Sequence, residues 1–388
     1  MARLSRRTGW DRSVNRLARI AAERRRAGKP ILDLTETNPT RVGLPPPADV
    51  LSSLAAPEGL VYEPLPFGWG PARRAVAEGY AACGAHVDAE DVVLTPSTSE
   101  AYSWLFKLLC DPGDDVLVPR PSYPLFDYLA ELESVRVERY ELGFDGAWHL
   151  DVAAVASAVS PRTRAVVVVS PNNPTGSYLD RRERDALVGL CADRGLALIC
   201  DEVFAGFDLD APDDAVFTVA GAREVLCAAL GGLSKSCGLP QLKLGWIAVS
   251  GPPGEREEAL ARLEIVADTY LAVGTPVQLA APSLLRRRAE LAAPIRRRIR
   301  ECLEVARGVI SPDLPADVLP VEGGWSAVVR VPDTLGEEER AAALLESAGV
   351  LVHPGYFFDF PRGAHLVVSL LTPPDVLRSG LLEIARRL

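Results

Sequence analysis

The feature that most constrains the fold of this chain is a continuous apolar run, RAVVVVS, at residues 164–170. A strand that is apolar at every position is typical of a sheet covered on both faces, because its alternating side chains all point into a core. Similar short runs recur at 91–95, 196–204 and 225–230, with longer helical patterns between them. This alternation predicts an α/β fold with a mostly parallel sheet flanked by helices on both faces.

The chain changes character near residue 280. Beyond it, helical stretches rich in Arg and Ala at 284–310 precede strand-like runs such as WSAVVRVP and HLVVSLL. We therefore expect a large domain at 48–280 and a smaller α+β domain formed by residues 1–47 and 281–388.

The Arg-rich N-terminus predicts a helix that ends at Gly28 and Pro30. Its apolar stripe is formed by Val14, Leu17, Ala18 and Ala21. The segment lacks the apolar central run of a signal peptide, and no run approaches the length of a membrane span. A transit peptide also fits the Arg-rich composition, but an N-terminal helix is the expected interpretation.

Composition argues against several classes of function. The formal net charge is -10, which does not favour a nucleic-acid surface. Short arginine clusters at 24–26, 286–288 and 296–298 are typical of solvated helix faces. The seven cysteines form no CxxC pair and several lie in apolar runs, as buried free thiols do in a reducing cytoplasm. The four histidines have no metal-ligand spacing, so no metal site is predicted.

Polar signals follow four of the predicted strands. They are TPSTSEA at 95–101, PNNPTG at 171–176, Asp201 after LALIC, and Lys235 after an apolar strand. Each alone has an ordinary explanation, such as a helix cap, a turn or a surface lysine. Asp201 directly follows five apolar residues, so it is expected to be partly buried and to need a partner. Because parallel sheets bind ligands at the carboxyl ends of their strands, the four signals together predict one pocket.

Lysine is rare in this chain. Only four of the 42 basic residues are lysines, and two of these, Lys235 and Lys243, lie eight positions apart in LSKSCGLPQLKLGW. A guanidinium cannot be deprotonated in a protein, whereas an ammonium can, so chemistry that needs a free amine requires lysine.

The ordered motifs of the chain resemble those of the pyridoxal-phosphate (PLP) aminotransferases of fold type I, the class I/II group that includes aspartate, alanine and aromatic aminotransferases. The resemblance covers nearly the whole chain, and it implies that the large sheet is of the seven-stranded type. It is carried by the pattern from Tyr62 to Arg73, PSYP at 121–124, PNNPTG at 171–176, DEVF at 201–204, SK with LGW at 234–246, EGGW at 322–325 and VHPGYFF at 352–358.

The resemblance implies that Lys235 holds the PLP aldehyde as a Schiff base and then moves a proton between substrate and cofactor. It also implies that Asp201 keeps the pyridine nitrogen protonated. Asn173 would donate to the ring hydroxyl oxygen, and Tyr123 would stack on the ring.

The same resemblance places the cofactor phosphate at the helix start that follows the first of these strands. Backbone N–H groups and hydroxyls of Thr98 and Ser99 would bind it there, together with the hydroxyl of Ser234 and the charge of Lys243. Tyr62 would reach the phosphate from the other subunit, which implies a homodimer with shared active sites.

This chain departs from the family pattern at several positions. Lys243 stands where the family usually has arginine, and Phe204 where it often has tyrosine. Thr37 replaces a glycine beside the substrate. The arginine that grips the substrate carboxylate is replaced by Val367, if Ser369 is in register; Arg41, Arg362 and His365 are the other candidate cations.

The expected function is that of a cytoplasmic aminotransferase of amino acid metabolism, which exchanges an amino group between an amino acid and a 2-oxo acid. The loss of arginine at Val367 leaves a PLP-dependent lyase, decarboxylase or cyclase as the alternative. A PLP-sensing regulator would need an appended DNA-binding domain, and the presence of Lys235, Asp201 and Asn173 argues against a cofactor-free relative. Trp325 and GYFF (355–358) fit either a hydrophobic substrate pocket or the core of the small domain.

Overall fold

The protein is described by a computed structural model that covers residues 3–271 and 273–388. The strands are β1 Leu32–Asp33, β2 Val92–Thr95, β3 Asp115–Arg120, β4 Arg136–Phe144, β5 Trp148–Leu150, β6 Thr163–Val169, β7 Leu179–Asp180, β8 Ala197–Asp201, β9 Ala215–Val216, β10 Cys227–Gly232, β11 Gly245–Ser250, β12 Asp317–Val318, β13 Ser326–Val331, β14 Val350–Leu351, β15 His353–Pro354 and β16 Ala364–Ser369. The helices are α1 Arg16–Arg26, α2 Gly70–Ala81, α3 Thr98–Leu109, α4 Phe126–Leu132, α5 Val152–Ala158, α6 Arg181–Arg194, α7 Leu233–Ser236, α8 Pro253–Tyr270, α9 Thr275–Arg286, α10 Arg288–Val309, α11 Glu337–Ala348 and α12 Pro374–Ala385.

The large sheet has the strand order β2-β11-β10-β8-β6-β3-β4-β5. The five central strands, from β10 to β4, pair in parallel, whereas β11 and β5 join antiparallel. The predicted α/β class with a mostly parallel sheet is therefore confirmed. The sheet has eight strands instead of seven because the short strand β5 folds back on β4 at one edge. Strand β4 was not predicted from the sequence, because it is rich in charged residues and only Tyr140 in it is buried.

The central strands are buried along nearly their whole length because both faces of the sheet are covered. Only Arg164 of β6 is exposed, and every residue of β8 and β10 is buried. One face of the sheet packs on a core that includes Tyr80 and Trp246, and the other on a core that includes Tyr102 and Trp104. Continuous apolar runs such as RAVVVVS supply apolar side chains to both cores, because successive residues point to opposite faces of the sheet.

Local signals fix where the helices of the large sheet begin and end. Asp180 and Glu183 form a reciprocal capping box at the start of α6, which ends at Gly195 in the left-handed conformation (φ 62°). At the start of α3, the side chain of Ser97 accepts a hydrogen bond from the Glu100 N–H at 3.2 Å. The predicted cap in TPSTSEA is therefore present.

The C-terminal part forms a four-stranded antiparallel sheet, β12-β13-β16-β15, on an apolar core that also takes in Phe204 and Phe207 after β8. Strand β1 pairs in parallel with β14, which joins the N-terminal segment to this part. This pairing supports our proposed division into 48–280 and a small domain of 1–47 and 281–388. The N-terminal helix is shorter than its apolar stripe suggested, since α1 begins at Arg16 and Val14 is exposed.

Within the described residues, no helix combines the length and the apolar character that a membrane crossing requires.

Candidate active site at the carboxyl ends of the strands

The carboxyl ends of the large sheet bring together the residues that the sequence singled out. Asp201 ends β8, α7 with Lys235 directly follows β10, and the turn with Asn173 follows β6. These three strands are parallel, so their ends meet at one edge. Strand β2 is antiparallel to β11, which is itself antiparallel to β10, so α3 also begins at this edge. The predicted convergence on one edge of the sheet is therefore observed.

Lys235 presents an amine without a polar partner. Its Nζ lies 4.7 Å from the ring centre of Trp325 and 5.4 Å from that of Phe204. In the described part of the chain, this amine makes no hydrogen bond or ion pair. The residue is half-buried by exposed area, but protein surrounds the amine itself. Desolvation therefore lowers the pKa of Lys235 to about 8, although the charge of Asp201 opposes that change. Such an amine can serve as nucleophile or base near neutral pH.

Asp201 is a buried carboxyl group with two hydrogen-bond donors. Its Oδ1 accepts from the Val203 N–H and its Oδ2 from the Tyr102 hydroxyl, both at 3.1 Å. Burial raises the pKa of Asp201 to about 6, while these two hydrogen bonds and the charge of Lys235 act in the opposite direction. A buried carboxylate of this kind gains most from a cationic partner.

The start of α3 faces the same edge. The N–H groups of Thr98 and Ser99 lie in the first turn, where they have no partner within the helix, and the helix dipole makes this end positive. Tyr123 follows β3 nearby. Burial raises the pKa of Tyr123, Asp201 adds to the rise, and the Ser99 hydroxyl opposes it.

Asn173 is held against the C-terminal part of the chain. The Ser326 hydroxyl donates to Asn173 Oδ1 at 3.4 Å. In the same region, the Gly323 N–H donates to the Gly176 carbonyl at 2.9 Å. A Cβ on Gly176 would stand 2.5 Å from the Gly323 oxygen, and Gly176 has a φ of 77°, so only glycine fits there. The glycines of PNNPTG and EGGW thus allow two loops of the site to touch.

Three predicted site residues make no side-chain hydrogen bond or ion pair with this group in the described part of the chain. Ser234 is half-buried beside Lys235 in α7. Lys243 is exposed and has a left-handed backbone (φ 53°), two residues before Gly245, whose backbone packs on Ser97 at the start of α3. Tyr62 is 74% exposed. The backbone next to Lys243 therefore lies close to the helix start, whereas Tyr62 points to solvent in a single chain.

Val367 lies on the sheet face that looks toward the site. Val367 pairs with Val328. Two positions farther along the same two strands, Ser369 pairs with Ser326, and Ser326 contacts Asn173. Val367 is 2% exposed and packs in an apolar cluster with Trp148 and Phe358.

The three alternative cations are placed differently. The Arg41 side chain is 75% exposed and its guanidinium lies 3.5 Å from Glu36. Arg362 is also exposed, before the start of β16. His365 is buried, and its Nδ1 lies 3.9 Å from a Glu337 carboxylate oxygen but makes no hydrogen bond within the described residues. Burial lowers its pKa to about 4, so it is neutral near pH 7.

Sequence reasoning missed two residues of the site, Tyr102 and Ser326. Tyr102 lies one helical turn after Thr98, on the same inward face as Ala101, and this spacing was the signal available. Ser326 follows EGGW and begins β13, so its contact with Asn173 could only be found from the fold.

The chain as a whole is similar to known proteins. The family model described as "Aminotransferase class I and II" matches residues 71–378. An alanine aminotransferase of Mycobacterium tuberculosis is 28% identical over 376 residues, which cover 92% of this chain and 84% of that protein. The glutamate-pyruvate aminotransferase AlaA of Escherichia coli is 29% identical over 265 residues, 66% of this chain and 64% of that protein.

Two solved structures resemble the chain along almost its full length. A mutant of Thermus thermophilus aspartate aminotransferase has a TM-score of 0.84 and 26% identity, with 100% of both chains covered. The alanine aminotransferase from Pyrococcus furiosus has a TM-score of 0.90 at 23% identity, with 99% of both chains covered, and this second likeness concerns the fold.

Proposed function

Because this chain belongs to the class I and II aminotransferase family and is an aminotransferase, we propose that Lys235 carries its reaction in the site at the strand ends. The reaction exchanges an amino group between an amino acid and a 2-oxo acid. The observation that carries the assignment is the Lys235 amine, which has no polar partner in the described residues and a pKa of about 8 beside the buried Asp201. The lyase, decarboxylase and cyclase alternatives have no comparable support.

The residues present fit PLP as the cofactor. Asp201 is a buried carboxyl group that lacks a bonded cation among the described residues, and a pyridinium would supply one. Lys235 has a free amine for an aldehyde, and Tyr123 offers a ring face. The N–H groups at the start of α3, with Thr98, Ser99, Ser234 and Lys243, match a phosphate. When bound, PLP would supply an aldehyde and an electron-withdrawing ring.

The side chains of the site have distinct proposed tasks. Lys235 Nζ exchanges a proton close to neutral pH, since its pKa of about 8 leaves both forms accessible. Tyr102 orients the Asp201 carboxylate through its hydrogen bond. Asn173, fixed by Ser326, is turned to donate its amide N–H groups into the site. Phe204 and Trp325 cover the amine and exclude water from it.

We propose Arg41 as the contact for a substrate carboxylate. The Ser369 hydroxyl donates to the Glu36 carbonyl at 2.7 Å, so the turn that carries Arg41 stands beside Ser369, on the side of Ser326 and Asn173. Arg362 lies at the opposite end of β16, and His365 is buried and neutral. In Arg41→Gln we expect KM for amino acids to rise at least tenfold with a smaller change in kcat, because one charge-assisted contact is lost.

We propose a homodimer in which Tyr62 enters the site of the partner. Tyr62 lies in an exposed apolar stretch with Leu60 and Val61, which are 92% and 64% exposed. A surface of this kind is costly to leave in water and is typical of an interface. We also propose the cytoplasm as the compartment, since the seven cysteines are free and five of them are buried.

The experiment is a half-reaction followed by absorbance. Purified protein loaded with PLP is mixed with single amino acids, and the visible cofactor band should give way to that of the amino form. A 2-oxo acid should then reverse the change. Release of ammonia or CO₂ without the amino form would contradict the proposal, and Lys235→Ala provides the inactive control.

A further inference from the structure

A cavity that is open to solvent lies behind the site, on the other face of the large sheet. Its volume is about 660 Å³, and it is lined by α2, by the start of α10 and by the segment that follows β8. Asp201 and Lys235 do not line it, although their neighbours Glu202 and Ser236 do. Because successive side chains of a strand point to opposite faces, Asp201 serves the active site and Glu202 faces this cavity.

Two arginines of α10 converge at the cavity wall. Arg288 Nη2 donates to the Ala205 carbonyl at 2.7 Å, and Arg296 Nε donates to the Gly206 carbonyl at 2.8 Å. A Cβ placed on Gly206 would lie 2.9 Å from Arg288 Nη2 and 3.5 Å from Arg296 Nη2. The two guanidinium groups therefore reach the same point beside a glycine, where no side chain separates them.

Neither guanidinium is neutralised within the described part of the chain. No carboxylate oxygen lies within ion-pair distance of Arg288 or Arg296, whereas Arg287 pairs with Asp49 and Arg307 pairs with Asp210. Each guanidinium carries five N–H donors, and each uses one on a carbonyl. Two adjacent positive charges with unused donors repel each other unless an anion joins them.

The other charged groups that line the cavity do not fill this role. Glu202 uses its carboxyl group on Thr218 and Val219, and burial raises its pKa to about 8. Asp208 accepts a hydrogen bond from the Tyr178 hydroxyl. Glu78 and Arg286 are exposed. The remaining wall is mainly apolar and includes Val76 and Trp246.

We propose that this cavity is a second ligand site, which binds a small organic anion with a carboxylate or phosphate group on an apolar body. Arg288 and Arg296 hold the anionic group, and the apolar wall covers the body. The carbonyls that these arginines bind belong to the segment between Asp201 and Phe207, so the ligand sits directly behind the residues that face Lys235.

The test is calorimetric titration of the PLP-loaded enzyme with phenyl phosphate and, separately, with benzoate. We expect saturable binding of at least one probe in the range of about 0.01 to 1 mM, with one molecule per chain. The probe that binds identifies the anionic group. Phenol should bind at least about tenfold more weakly because it lacks the charge, and inorganic phosphate should do so because it lacks the apolar body.

Variants outside the active site locate the binding. The double variant Arg288→Gln/Arg296→Gln should weaken binding at least tenfold, and Arg297→Gln, an exposed neighbour on the same helix, should not change it. Gly79→Leu tests the cavity without touching the arginines. Gly79 lines the wall, and a Cβ there meets no atom within 4 Å, so the leucine can occupy the space of the ligand body.

The outcomes separate this site from the proposed active site. Lys235→Ala should bind the probe as the parent enzyme does, whatever its activity. If the double glutamine variant does not fold, Gly79→Leu still decides the question, and its transaminase activity should persist. Binding that is unchanged in Gly79→Leu, or absent in the parent enzyme, would overturn the inference.

Discussion

The hydroxyl of Tyr102 donates a hydrogen bond to Oδ2 of Asp201 at 3.1 Å, between side chains 99 positions apart in the chain. The bond stabilises the charged form of a carboxyl group whose burial favours the neutral form. Helix α3 therefore contributes to the site twice, through its positive first turn and through this phenol.

In Tyr102→Phe, the pKa of Asp201 should rise further above about 6, by about one to two units, because a hydrogen bond to a charged group is lost. As the pH is lowered, cofactor affinity should therefore begin to fall at a higher pH than in the parent enzyme, because Asp201 is protonated at that higher pH. The measurement is a cofactor titration across a pH series. Tyr140→Phe is the control, because Tyr140 is also buried and donates to the Val167 carbonyl away from the site. Equal acid midpoints in both variants would contradict the prediction.

The loading of PLP onto cofactor-free protein should depend on the protonation of Lys235. Its pKa is lowered from 10.5 to about 8, so the reactive free amine is lost as the pH falls through about 8. The initial loading rate, followed by absorbance, should decrease about tenfold per pH unit below that value and level off above it. A rate that continues to rise to the ordinary lysine range would contradict the lowered pKa.

Lys243→Ala should weaken PLP binding about tenfold, because one charge opposite the phosphate is lost. Lys243→Arg should retain the affinity of the parent enzyme. Lys29→Ala removes an exposed lysine at the far end of the chain and serves as the control. Unchanged affinity in Lys243→Ala would assign this residue to the solvent-exposed surface instead of the phosphate site.

Val367→Arg should destabilise the protein by about 3 kcal/mol or more, because it buries a charge among apolar side chains. Thermal unfolding measures the effect. The same substitution at the exposed Val14 should change stability by less than about 0.5 kcal/mol. A stable Val367→Arg variant with a lower KM for amino acids would mean that this position opens into the substrate pocket.

Tyr62→Ala and Lys235→Ala should each be inactive or severely impaired, and their mixture should recover activity after dissociation and reassembly. In a mixed dimer, one site carries both defects and the other is intact. Random pairing should restore about a quarter of the parent activity. Recovery would not occur if Tyr62 served the site of its own chain.

The sheet and the strand-end residues could be predicted because their signals are local. Buried parallel strands require apolar runs, and the polar residues that follow such runs must meet at one edge. Lys235, Asp201 and Asn173 were found in this way. The Tyr102 contact was missed although the spacing from Thr98 pointed to it, because an inward-facing tyrosine on α3 also has the pattern of an ordinary core residue.

The arginines of α10 show the limit of pattern reasoning more clearly. Clusters at 286–288 and 296–298 were predicted to be solvated helix faces, and this is wrong for Arg288 and Arg296, which are half-buried and bind loop carbonyls. Helical periodicity predicts on which face of its own helix a residue lies. It does not predict that the segment after β8 places two carbonyl groups against that face.

The close contact between the two glycine-containing loops has a consequence for local unfolding. The segment 322–324 bonds through its backbone to Gly176 and Phe207, and the Glu322 carboxylate accepts from the Tyr178 N–H at 2.7 Å. The turn with Asn173 and the segment after Asp201 are thus anchored to the same short stretch. Amide protons of all three should exchange with solvent water together, with one opening free energy, because none can open alone without breaking bonds to another.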